Sequence, residues 1–249
     1  DLSSYMANAS PAGGSKEITY ESNPELGITF TKSGEDTWYD FVEDKENHTV
    51  KVNLTASDGK QREGCINVLV GEKENTTAAK LRVLQIGEDT ESLIFEVRIN
   101  YDDYTFKNGG VYKTNGGDLD VTIDWGDGSE PEHFVNVQPS HKYAKAGKYT
   151  VETKGTAPSY CLTDIAGDYF TITDGIKHVN FLNIISWGKL GVKDVKNVCK
   201  TDEELESIPD DVCGTFAEIT DFTDMFVNCY SLKAIPENLF KYAVKAKKF

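Results

Sequence analysis

The 249-residue sequence predicts a mainly β fold, with two β-sandwich units followed by a short repeat unit. Three observations predict it. Apolar and polar side chains alternate over short stretches, the period-2 mark of half-buried strands. Clusters of Gly, Asp, Ser, Asn and Lys separate those stretches at the spacing of a sandwich. In the last third, apolar positions recur at an offset of 27 residues, a period within the range of stacked repeats.

Composition bounds the possibilities further. Apolar residues make up 39% and aromatics 11%, enough to build sizeable cores. Lys and Arg number 26 against 41 Asp and Glu, a net charge of −15. Such a surface repels phosphate backbones and anionic membrane faces, which argues against nucleic-acid and membrane-surface partners. The densest apolar stretch, residues 65–70, is only strand length, far short of the roughly 18 residues of a membrane helix. The chain starts at Asp1 without an initiator Met, which reads as a processed or cloned fragment with any targeting segment out of view. Cys65, Cys161, Cys199, Cys213 and Cys229 are widely spaced, odd in number and without a CxxC pair. They read as buried free thiols rather than a disulfide framework.

Residues 1–15 are small and polar, with Pro and paired Gly, and read as a flexible leader. Residues 16–87 read as the first sandwich. Val50, Val52 and Leu54 alternate with polar residues, residues 64–70 suit a central strand, and Leu81 and Val83 continue the pattern toward Gln85. Residues 57–60 and 71–75 are turn chemistry. Arg62, Gly64, Ile66 and Val68, followed by Leu81, Val83, Gln85 and Gly87, resemble the closing strands of a BACON domain; Gly13-Gly14 and Trp38 also fit. That resemblance implies a carbohydrate-binding role.

Residues 88–173 read as the second sandwich. Leu119, Val121, Ile123 and Trp125 alternate into Gly126-Asp127-Gly128, and residues 134–137 and 149–151 read as further strands. Asp124 through Gly128, then His141-Lys142-Tyr143, then Gly147-Lys148-Tyr149-Thr150-Val151, resemble a PKD domain, which implies an immunoglobulin-like sandwich.

Residues 174–249 carry the repeat. Leu205, Ile208, Pro209 and Val212 recur as Leu232, Ile235, Pro236 and Leu239. Val192, Asp194, Val195 and Val198 recur as Ile219, Asp221, Phe222 and Met225. The period is that of leucine-rich repeats. Residues 224–236 resemble the BspA-type surface leucine-rich repeat, and Trp187-Gly188-Lys189-Leu190-Gly191 resembles its lead-in. The expected fold class is therefore two immunoglobulin-like β-sandwiches followed by a short leucine-rich-repeat unit. Two repeats are fewer than the three or so that stand alone. Either the unit packs on the preceding sandwich, or the natural chain continues past Phe249. Residues 239–249 read as a short amphipathic helix covering the open end.

Catalytic signatures are absent: no HExxH, no GxSxG and no phosphate-cradling glycine loop occur. Ser186 and Lys189 have the spacing of a Ser-Lys pair, but they overlap the repeat's lead-in and lack a partner motif. His141 is expected to bond a nearby backbone group through a ring nitrogen. Asp124 and Asp127 flank a Trp-Gly turn and are the metal candidates. Calcium needs about six oxygen ligands, and only Glu130 and Glu132 are near, so the two are read as fixing the turn. The expectation is no metal and no cofactor.

Exposed aromatics are the binding candidates, because sugar rings stack their C–H faces on Trp and Tyr. Trp38 and Tyr39 follow a polar segment; adjacent strand residues face opposite ways, so one of the two is expected outside. Tyr101 and Tyr104 form a second pair, with Asp102 and Asp103 as polar partners. Trp125 and Trp187 are expected to be buried. Asn8, Asn47, Asn53 and Asn75 begin glycosylation sequons, a pattern too common to carry weight. BACON-, PKD- and BspA-like modules together imply a non-enzymatic extracellular binding protein, anchored at the bacterial surface as an outer-membrane lipoprotein. Its expected partner is a glycan or host glycoprotein. Alternatives are protein–protein adhesion through the repeat, and the accessory part of a longer glycoside-hydrolase-type protein.

Overall fold

The computed structural model describes residues 2, 5–21, 27–71, 77–113, 117–162 and 178–249. These residues form strands and turns, with no helix among them. The expected boundary between residues 173 and 174, and the sequon residue Asn75, lie outside the described residues. The fold is all-β and sandwich-like, in two compact units: Asp1–Thr90 with Gly126–Gly128, and Glu91–Trp125 with Ser129–Phe249.

The first unit holds β1 (Met6–Ala9), β2 (Gly14–Thr19), β3 (Ile28–Ser33), β4 (Tyr39–Asp44), β5 (Thr49–Leu54), β6 (Arg62–Val70) and β7 (Thr77–Gln85). One sheet has the order β1-β7-β6-β3 and the other β2-β5-β4. Alternation decides which side chains meet between them. Val50, Val52 and Leu54 of β5 and Ile66 and Val68 of β6 are buried with Leu81 and Val83 of β7 in one cluster. Fully burying each such side chain contributes about 1.5–3 kcal/mol.

Within the leader expected at residues 1–15, the described residues 5–15 carry β1 and the start of β2. β1 runs parallel to β7, pairing Met6 with Arg82 and Ala9 with Gln85, and Met6 and Ala7 are buried. The amide of Arg82 donates to Tyr5 O and that of Ile86 to Ala9 O. Backbone pairing of this kind leaves no periodicity in small side chains, so composition alone could not show it.

The closing-strand residues face the core. Arg62 pairs across the ladder with Gln85, Gly64 with Val83 and Ile66 with Leu81. At Gly64 a Cβ would sit 2.4 Å from the Tyr39 ring, so glycine is what lets that ring lie against β6. The Tyr39 hydroxyl donates to Cys65 O (3.0 Å) and accepts from the Cys65 amide (3.2 Å).

The second unit holds β8 (Leu93–Ile99), β9 (Tyr104–Phe106), β10 (Val111–Tyr112), β11 (Asp120–Asp124), β12 (Glu132–Val135), β13 (His141–Tyr143), β14 (Gly147–Thr156), β15 (Ser159–Tyr160) and β16 (Val179–Ser186). A five-stranded sheet, order β12-β11-β14-β8-β16, is joined by the two-stranded sheets β13-β9 and β10-β15. Phe95, Val97, Val121, Ile123, Val151 and Phe181 are fully buried between them. The strand expected over residues 134–137 ends at Val135, because Asn136 takes a left-handed conformation at φ 54°.

Beyond β16 the chain coils, and the 27-residue offset becomes geometry. Asn197 and Asp224 both have φ near +58°, and Thr201 and Asn228 both have φ near +63°. The turn bond from Val198 N to Val195 O repeats from Met225 N to Phe222 O. Lys233 pairs with Glu206, Lys245 with Glu218 and Lys248 with Asp221, each 27 residues apart. The helix expected over residues 239–249 does not form. Those residues are turns in register with residues 212–222: Leu239 is buried, and Lys248 bridges in parallel to Asp221.

The coils pack on the second unit's sheet. Ile184 N donates to Ser207 O and Glu206 N to Leu182 O, extending the sheet from β16 onto the first coil. One cluster runs from Leu93 and Phe95 through Trp187 and Leu205 to Phe222 and Leu239. Gly188 is a condition of this docking: its φ is +65°, and a Cβ there would meet Ser92 C at 2.4 Å.

Candidate functional site

β8 and β16 run antiparallel, with Val179 opposite Ile99 and Asn180 opposite Arg98. The Asn100 amide donates to His178 O at 3.1 Å and carries the pairing one residue further. The chain then turns through residues 101–103, where Asp103 takes φ 57°, a conformation a short polar side chain tolerates. That turn delivers Tyr101 and, on β9, Tyr104 to one imidazole. The Tyr101 and His178 rings are 5.1 Å apart at 81°, and the Tyr104 and His178 rings 5.3 Å apart at 53°. Edge-to-face geometry of this kind suits the ring quadrupoles. Tyr101 is half-buried. Tyr104 packs against the core with its hydroxyl oxygen buried.

The polar partners expected from sequence hold the turn. Asp102 accepts from the Ala146 amide (2.8 Å) and from Lys145 Nζ (3.2 Å). The Ala146 bond, then the lysine, holds its carboxyl below the usual range. Asp103 pairs with Lys142 at 2.8 Å. Beside the rings the sheet carries a hydrogen-bonded row in which Asn180 is buried and Asn100, Arg98 and Glu204 are half-buried. Asn100 Nδ2 donates to Asn180 Oδ1 (2.6 Å), Asn180 Nδ2 to Glu204 Oε1 (2.8 Å), and Arg98 Nη1 to Glu204 Oε2 (2.6 Å). Arg98, Asn180, His178 and Glu204 were not among the candidates read from sequence. The period-2 outward positions of β8 would have flagged Arg98, whereas Glu204 lies on the first coil and only docking brings it here.

Trp38 and Tyr39 have a different fate. Tyr39 is 1% exposed, so its ring offers no face to a ligand, and burial raises its hydroxyl pKa. Trp38 is half-buried, with the Arg62 guanidinium carbon 4.9 Å from its ring centroid. Arg62 is itself fixed: it donates to Gln85 Oε1 and to the carbonyls of Thr55 (3.1 Å) and Ala56 (3.2 Å). Gln85, wholly buried, donates onward to Ser10 O and Thr55 O. One face of Trp38 is thus occupied by the protein's own cation.

The remaining candidates divide plainly. Asp124 and Asp127 are half-buried, and among the described residues no group of three His, Cys, Asp or Glu is placed to hold a metal. His141 stacks on Trp125 (5.0 Å, 13°), and its Nδ1 lies 3.1 Å from Glu132 Oε2. The same Glu132 oxygen accepts the Trp125 indole N–H at 2.6 Å, and Tyr143 donates to Trp125 O at 2.8 Å. Trp125 and Trp187 are buried. Ser186 is buried and its Oγ accepts the Gly188 amide. All five cysteines are free thiols, with Cys161 and Cys199 buried and the other three half-buried.

Comparison with known protein families, curated proteins and solved structures gives no match to this chain.

Proposed function

We propose that this chain is a non-enzymatic binding protein of the bacterial cell surface that recognises a glycan or a host glycoprotein. The observation that carries the reading is the Tyr101–His178–Tyr104 cluster beside the Asn100–Asn180–Glu204–Arg98 row. A half-buried ring set beside a part-exposed guanidinium and carboxylate, which the buried Asn180 helps to hold, is a combination a sugar can use, one face for its C–H groups and a donor and an acceptor for its hydroxyls. In the same reading the first unit is a BACON-type sandwich, the second an immunoglobulin-like PKD-type sandwich, and the coils a BspA-type leucine-rich repeat. The inward Arg62, Gly64 and Gln85 and the 27-residue register of the coils support it. An outer-membrane lipoprotein anchor goes with these modules, and no metal or cofactor is invoked.

The test is a binding screen of the whole chain against immobilised polysaccharides, mucin and matrix proteins, beside a chain ending at Gly87. A cut at Thr173 is not a useful comparison, because it would remove β16 and the coils that share the second core. Glycan retention by the whole chain and not by the short one supports the reading. Silence on every surface sinks it.

A second reading is protein adhesion through the coils. The row continues past β16 through Ser207 Oγ on Asn183 and Lys233 on Glu206, a polar surface spanning sandwich and coil. Matrix-protein binding that survives Tyr101→Ala and falls with Lys233→Glu favours it.

A further inference from the structure

We infer that the coils are a working part of the Tyr101 site: Glu204 enters it only while the first coil is docked on β16, so ligand binding and coil docking strengthen each other. This rests on the glycan reading above and concerns the regulation of the same site. Arg98 lies on β8 and Asn180 on β16, and Tyr101 and His178 lie just beyond the ends of those strands. Glu204 comes from the coil. Its place is set by its neighbours: Leu205, next in the chain, is 1% exposed in the shared core, and the Glu206 amide donates to Leu182 O on β16.

The row and the docking hold one another. Asn180 is 3% exposed, and its Nδ2 donates to Glu204 Oε1 at 2.8 Å. Lifting the coil would leave that buried donor short of its acceptor and would part Arg98 Nη1 from Glu204 Oε2, which lie 2.6 Å apart. The Arg98 and Glu204 side chains are 37% and 42% exposed, so a ligand hydroxyl has access to both. A ligand that bonds Glu204 binds the docked state better than the undocked one, and a ligand shifts an equilibrium only by such a difference. The coupling is reciprocal: a change that loosens docking weakens binding. Points outside the site then bear on it. Gly188 takes φ +65° and has no room for a Cβ beside Ser92 C (2.4 Å), and Ser207 Oγ donates to Asn183 Oδ1 at 2.6 Å.

The experiment is affinity electrophoresis of the intact chain through a β-glucan, a mannan, a xylan, polygalacturonate and heparin, then hydrogen exchange with the polymer that retards it most. Glu204→Ala should weaken retardation about tenfold, the scale of about 1.4 kcal/mol. Gly188→Ala should weaken it several-fold without touching the site. Glu204→Gln keeps an acceptor for Asn180, guards against loss of the coil itself, and should also weaken retardation. The polymer should slow exchange in residues 203–207 as well as 98–104. It should raise the melting temperature of the unchanged chain more than that of Glu204→Ala, a difference that a purely structural role for Glu204 would not produce. Glu218→Ala, which removes a coil carboxylate that pairs with Lys245, should leave retardation unchanged. Retardation unchanged in Glu204→Ala overturns the inference and leaves the glycan reading standing, as does protection confined to residues 98–104. An equal loss in Glu218→Ala also overturns it, because coil charge would then explain the effect. Silence on all five polymers overturns inference and reading together.

Discussion

Two aromatic pairs, Trp38-Tyr39 and Tyr101/Tyr104, look alike in sequence and end differently in the fold. In the first, Tyr39 is swallowed by the core beneath Gly64, and Trp38 is capped by a guanidinium that Gln85 and two carbonyls hold in place. In the second, the rings meet an imidazole at a sheet end, beside a hydrogen-bonded amide pair and a part-exposed ion pair. The difference lies in what surrounds each pair. An aromatic whose neighbours spend their polar groups on the protein's own backbone closes a core. An aromatic whose neighbours bond one another along a surface leaves a prepared face.

The comparison breaks most readily at Tyr39. Tyr39→Ala should destabilise the first unit by about 3–5 kcal/mol, as for other large buried aromatics, whereas Tyr101→Ala should cost the second unit about 1 kcal/mol or less. Thermal melts followed by Trp38 fluorescence for the first unit and by Trp125 and Trp187 for the second would measure both; equal losses would erase the distinction. Gly64→Ala comes next. Its Cβ has no room against the Tyr39 ring, so a loss of about 1–3 kcal/mol is expected from overpacking. A neutral result in denaturant titration would mean the ring swings aside.

Arg62→Ala should cost about 1–2 kcal/mol by leaving Gln85 and two carbonyls short of a donor, and it uncovers one face of Trp38. Gain of polysaccharide binding in that variant would show that only the cation keeps the two pairs different. The smallest effect expected is on acid stability. Hydrogen bonds to Thr223 hold the Asp221 carboxyl at about 2, Lys233 holds Glu206 low, and Ala146 holds Asp102 low. In the first unit Asn47 does the same for Asp44. These folded-state values are depressed, so the stability they confer is present above the ordinary carboxyl range of about 4 and is lost as pH falls through the folded values. Among the described residues the second unit carries more such groups, so its melting temperature should fall sooner on acidification; simultaneous loss in both units would refute this.

Much of the scaffold was legible. Val50, Val52 and Leu54 announced β5, and Val121 and Ile123 announced β11, because a two-residue period and a buried face are the same fact. The 27-residue offset announced coils whose left-handed residues and lysine–carboxylate pairs fall at that spacing. β1 was not legible, since it joins β7 through backbone bonds and its small side chains at Ala7 and Ala9 show no period-2 apolar pattern. The tail was misread as a helix because its apolar residues serve the coil register, in which Leu239 occupies the place of Val212.

The sequence by itself determined which side chains would be buried along strands such as β5 and β11, and where the coils repeat, because both follow from local periodicity. Only the tertiary structure decided that the coils share one core with the second sandwich, that Arg62 covers Trp38, and that Glu204 reaches Arg98 and Asn180 across more than a hundred and about two dozen residues respectively. Those outcomes depend on which surfaces meet once strands have docked, and contacts between distant segments leave no trace in the spacing of either.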